Sequence, residues 1–212
     1  MKTPRLFRPR TLAVAAAALI PLIGLATPAS AASFTVNFAC QANAPIVGPQ
    51  NATFTQAADV TAPATVAPGG SLSIVIDPAA NTVPASVSGY TVKNINTFAL
   101  KIPVPANSTY VSSTLSGGSG LGSTAPKITV SGGVATLSFP GPIAGGAAFE
   151  LPTVTVNLKA GTSGTIQTKL GGTSYTNPGL TFNTVVNALF DVTAPTACYP
   201  NPSPVFTTTT IG

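Results

Sequence analysis

Pro68-Gly69-Gly70-Ser71-Leu72-Ser73-Ile74-Val75-Ile76-Asp77 is the stretch that decides the fold. The Pro-Gly-Gly run supplies a turn, and Leu72, Ile74 and Ile76 then put three bulky apolar side chains on one face of an extended segment. Asp77-Pro78 closes the segment, because proline has no N–H to offer a central ladder. This is the pattern of a β-strand with one buried face.

The same period of two recurs on both sides of it. Upstream, Phe34-Thr35-Val36-Asn37-Phe38-Ala39-Cys40 alternates apolar with small or polar residues. Gln41 to Gln50, with Pro45 and Pro49, reads as a connector, and Asn51 to Val60 as a short strand. Downstream, Asn81 to Gly89 reads as a loop. Ile95 to Val104 places Phe98, Leu100, Ile102 and Val104 on one face, and Ser108 to Leu115 is a further strand. Lys127–Val130 and Val134–Phe139 flank Gly132-Gly133, a tight-hairpin signal. Val154, Val156 and Leu158 share a face, as do Ile166, Thr168 and Leu170. Leu180 to Val192 is long enough for one bent strand or two short ones, and residues 206–212, with Thr207 to Thr210, read as a flexible tail. No window beyond the N-terminal segment sustains a helical period. Short alternating strands separated by Gly and Pro turns predict an antiparallel β-sandwich or barrel.

The N-terminus reads as an export signal. Lys2, Arg5, Arg8 and Arg10 precede an apolar run from Leu12 to Leu25, and Ala29-Ser30-Ala31 supplies the small residues of a cleavage site. Cleavage is predicted after Ala31, which leaves no membrane span in the mature chain. The formal charge of +5 then largely disappears: five lysines against four acids leave +1, with no arginine. Nucleic acid is excluded as a partner, since phosphate neutralisation has almost nothing to work with. In an exported chain, two cysteines near opposite ends predict one disulfide, Cys40 to Cys198.

Histidine and tryptophan are absent. Without histidine there is no Ser-His-Asp or Cys-His activation and no histidine-ligated zinc. The acids Asp59, Asp77, Glu150 and Asp191 are scattered along the chain, so no catalytic, cofactor or metal site is predicted. Lys101, Asn183 or Asn187, and Glu150 form the trio to inspect for an isopeptide cross-link; solvent-facing lysines are the plainer reading.

Pro63 to Leu170 resembles exported bacterial immunoglobulin-like domains. The resemblance rests on Val66-Ala67-Pro68-Gly69-Gly70 before Leu72-Ser73-Ile74-Val75-Ile76, on Leu100-Lys101-Ile102-Pro103-Val104-Pro105-Ala106-Asn107, and on the following Gly-Gly hairpin. The whole layout, with Phe-x-Cys soon after the signal and a late second Cys, resembles small secreted actinobacterial proteins of unknown function. It implies an immunoglobulin-like sandwich over residues 32–205, enlarged beyond seven strands and outside the cytoplasm. The leading expectation is a non-catalytic secreted or envelope-associated module with a structural, adhesive or binding role, its partner an unidentified envelope or surface component. The alternative is a carrier of a small apolar ligand, which needs a pocket lined by residues such as Phe98, Phe139 and Phe182. An enzyme of unfamiliar type comes third. A sealed core disfavours the carrier, a flat apolar patch favours adhesion, and a cleft joining two of the four acids favours the enzyme.

Overall fold

The computed structural model describes residues 29–45 and 48–212. The basic and apolar parts of the predicted signal lie outside them. The described residues contain strands and turns and no helix, as the alternation predicts. In chain order the strands are β1 (Ala29–Ala44), β2 (Gly48–Pro63), β3 (Thr65–Val66), β4 (Ser71–Pro78), β5 (Asn81–Thr82), β6 (Ser86–Val87), β7 (Tyr90–Pro103), β8 (Ser108–Ser116) and β9 (Lys127–Ser131). They continue as β10 (Val134–Phe139), β11 (Ile143–Ala144), β12 (Ala148–Phe149), β13 (Thr153–Ala160), β14 (Gly164–Thr168), β15 (Leu180–Asn187), β16 (Asp191–Pro200) and β17 (Thr207–Ile211).

One antiparallel ladder runs β8-β13-β4-β2-β1-β16-β15-β7-β10-β9, with the short β6 and β11 also paired to β7. Its end strands β8 and β9 come back within reach of each other, so the sheet folds over as a sandwich around a shared core. Two small sheets, β5 with β12 and β14-β17-β3, complete the walls. The all-β sandwich with one disulfide is thus the fold. Leu72, Ile74 and Ile76 of the deciding strand are buried, and so are Val154, Val156 and Leu158 opposite them on β13. The Gly132-Gly133 hairpin is present: both glycines have positive φ, 56° and 74°, which a two-residue turn matching the strand twist requires.

Four expectations are corrected. The connector Gln41–Gln50 and the short strand after it are two long strands, β1 and β2, in register from Ala29 opposite Pro63 to Ala44 opposite Gly48. The loop Asn81–Gly89 contributes the short strands β5 and β6. Leu180–Val192 is a strand and the start of another, β16, which continues through Pro195 to Pro200. The predicted tail is β17, paired with β14 on one side and in parallel with β3 on the other, with Phe206 and Ile211 buried. Ala29–Ala31, just upstream of the predicted cleavage point, lie opposite Pro63–Thr61.

Candidate functional site: an apolar cleft under the β6–β7 hairpin

Inward positions on the central strands shrink toward one end of the molecule. On β1 the buried face runs from Phe38 to Cys40, Ala42 and Ala44; on the neighbouring β16 it runs from Cys198 to Thr196 and Ala194. A sandwich normally fills such positions with Val, Leu or Phe to reach crystal-like density. Here the small side chains leave a cleft of about 590 Å³ with an open mouth, within the range of small-molecule sites.

The floor is the inner face of β2, β1, β16, β15 and β7, and the Cys40–Cys198 disulfide lies at its deep end, where the two residues face each other across β1 and β16. Val83, Pro84 and Val87 cover one side. That cover is a hairpin: β6 and β7 meet at Ser88 and Gly89, both with positive φ, and Val87 pairs with Tyr90. It is held from behind by Gly145. A Cβ built on Gly145 falls 1.9 Å from the carbonyl oxygen of Val92, so only glycine permits the β11 turn to lie against β7 there.

Two bulges aim β7 into the cleft. Buried positions on this strand step from Val92 to Ile95 to Phe98 and then alternate through Leu100 and Ile102. The steps of three coincide with register shifts against β15, opposite Val185–Val186 and opposite Phe182. At the second, Thr97 takes φ 55°, a conformation costly for a β-branched residue. Its N–H donates to the carbonyl of Pro140 (2.9 Å), and its hydroxyl to Asn96 Oδ1 (3.0 Å). The extra residue turns Phe98 inward, the re-aiming that bulges provide beside sites.

Of the three phenylalanines expected around a carrier pocket, Phe98 and Phe182 line the cleft, joined by Phe54 and Phe149. Phe139 stands behind, stacked on Phe98 with ring centroids 4.7 Å apart. The polar groups on the floor are already engaged. Thr184 Oγ1 and Thr196 Oγ1 are 3.0 Å apart, and Thr196 also donates to the carbonyl of Ala194 (3.1 Å). With Thr196 donating to Ala194, its bond with Thr184 takes the Thr184 hydrogen, so neither hydroxyl hydrogen is left for a ligand.

No carboxylate and no lysine lines the cleft. Asp59 accepts from Ser33 (2.5 Å), Asp77 from Thr153 (2.6 Å), and Asp191 from Lys93 (2.5 Å). Asp59 and Asp77 are less scattered than their sequence positions suggest: they are directly opposite on β2 and β4, exposed on the outer face. Glu150 pairs through its backbone with Ser119. The isopeptide trio is not assembled. Asn183 donates to Asn96, Asn187 to Asp191, and Lys101 lies opposite Thr136, five positions along β7 from Asn96. Among the described residues no group of three or more Cys, Asp or Glu is placed to hold a metal ion, and no helix is long and apolar enough to cross a membrane.

No protein-family model matches this chain, and no curated protein sequence does either. A solved structure does: a crystal structure described as "Putative membrane anchored protein from Corynebacterium diphtheriae", 21% identical, with a TM-score of 0.56. The likeness covers 85% of this chain and 38% of that one, so this chain spans well under half of that protein's length. At this identity the likeness concerns the fold.

Proposed function

We propose that this chain is an exported, non-catalytic immunoglobulin-like β-sandwich that works at the cell envelope or outside it. On this reading it holds the hydrocarbon part of a small apolar ligand in the cleft. The observation that carries the reading is the cleft itself: about 590 Å³, lined by aromatic and small aliphatic side chains, with no charged group on its wall. Apolar cavities of this kind exclude water poorly bound to them and reward an apolar occupant. Export and an envelope location are supported by the signal-like N-terminus, by the buried disulfide, and by the membrane-anchored description of the structurally similar corynebacterial protein. The purely adhesive reading calls for a flat apolar patch. The exposed large apolar side chains among the described residues, Val111, Leu189, Phe190 and Val205, are instead divided among three separate parts of the surface.

The test is titration of the secreted form, purified from the medium of an exporting host, with dansyl-undecanoic acid. Saturable binding is expected, weakened at least about tenfold by Ala42→Phe, since a ring added at this half-buried position enters the cleft without displacing packed neighbours. Absence of saturable binding, or equal affinity in the variant with its fold retained, would sink the proposal.

A further inference from the structure

The mouth of the cleft is bordered by the turn between β15 and β16, Asn187-Ala188-Leu189-Phe190. Leu189 is 99% exposed and Phe190 58% exposed, two adjacent large apolar side chains at the end of a hairpin. Hairpin ends are ordinarily made of Gly, Asn and Asp, and neither of these side chains helps the turn close. The turn is secured by its backbone, Ala188 N–H to the carbonyl of Phe190 (3.1 Å). Leu189 and Phe190 also line the cleft, so apolar surface is continuous from the tip, past Val186 and Val192, to the floor at Ala194.

Charge narrows what the tip meets. The strand ends and turns around the mouth, Cys40–Phe54, Val83–Val92 and Thr184–Thr196, contain a single charged residue, Asp191, and Lys93 neutralises it. Such a surface has no attraction for anionic headgroups or for acidic or basic peptides. Two side chains are also too few for the core of a stable protein–protein interface, which buries about 800 Å² per partner. They suit shallow insertion between lipids, where a few apolar residues suffice for reversible attachment.

We propose that the Leu189–Phe190 tip inserts into the apolar layer of a neutral phospholipid surface, bringing the cleft mouth onto the acyl chains so that one chain can enter it. The proposal rests on the apolar-ligand reading above and adds the place where the ligand is collected.

Co-sedimentation of the secreted form with phosphatidylcholine vesicles tests it. The protein is expected to bind, and equally so between about 0.1 and 1 M salt, over which exposed charge interactions become screened. Leu189→Ser/Phe190→Ser should lower the bound fraction at least about tenfold while taking up dansyl-undecanoic acid in lipid-free buffer as well as the parent does. Vesicle binding unchanged by the double substitution, absent from the parent, or abolished by salt overturns the insertion. So does a parent that is dimeric where the variant is monomeric with equal vesicle binding, since the tip then serves a second copy of the chain. Tip-dependent vesicle binding without uptake of the free probe would leave the insertion standing and remove the cleft reading.

Discussion

At Thr97 a single residue trades local stability for the direction of its neighbour. A β-branched side chain at φ 55° costs on the order of 1–3 kcal/mol. The surrounding bonds hold it there: its N–H to Pro140, and its hydroxyl, with that of Asn96's partner Asn183, in a small polar cluster on the outer face. Thr97→Gly removes the steric cost but adds unfolded-state freedom of about 0.5–1 kcal/mol. The expected net effect is a gain of about 1 kcal/mol, read as a higher urea midpoint at unchanged m-value. Phe98 itself was legible as an inward residue from the alternation that follows it. The bulge was not, because nothing in Asn96-Thr97-Phe98 announces a positive φ. The cleft was half legible for a related reason: Phe98 and Phe182 stand out in a sequence, whereas Ala42, Ala44 and Ala194 look like ordinary small residues until their strands are adjacent.

Strand elements were most legible where alternation is unbroken, as in β4, β10 and β13. They were least legible where proline or threonine carries the strand. β16 contains Pro195, which argues against a central strand, yet the β1–β16 ladder ends at Ala42 opposite Thr196, one residue short of it. The missing N–H therefore falls where β1 has ceased to pair. β17 is Thr-Thr-Thr-Thr-Ile, whose low hydrophobicity reads as a tail; Thr207 and Thr209 are nevertheless buried, and their hydroxyls donate to Thr168 (2.8 Å) and to the carbonyl of Pro63 (2.6 Å). Phe206 packs on Phe34 with centroids 5.1 Å apart. Deleting residues 206–212 should therefore cost about 3–6 kcal/mol, roughly the burial of Phe206 and Ile211, rather than nothing. Thermal unfolding of the truncated and full-length secreted forms distinguishes the two outcomes.

Across the whole molecule, the long sheet consists of two halves, β8-β13-β4-β2-β1 and β16-β15-β7-β10-β9, joined through β1 and β16. The register between them covers five pairs, Phe38 opposite Pro200 to Ala42 opposite Thr196, and the disulfide is the middle pair. With 158 residues between the cysteines, chain entropy puts an upper value of roughly 5 kcal/mol on the cross-link. Cys40→Ala/Cys198→Ala is expected to lose about 2–5 kcal/mol in a urea titration. The pairing was legible from two cysteines in an export-signal context; that it lies at the deep end of a cleft was not, since the cleft arises only when strands distant in sequence are brought together.

The interleaving of the halves also fixes an order of assembly. β7 belongs to one half and β8 to the other, β10 to one and β13 to the other, so neither half is a continuous piece of chain that can finish alone. The β1–β2 hairpin is local and can form as soon as Pro63 has been made. Its other neighbour, β16, arrives only near the C-terminus. Contacts so distant in sequence form slowly. A growing or translocating chain therefore carries β1 with one bare edge for almost its entire length, and a helper that shields that edge until Cys198 emerges would act on folding yield without touching the finished protein.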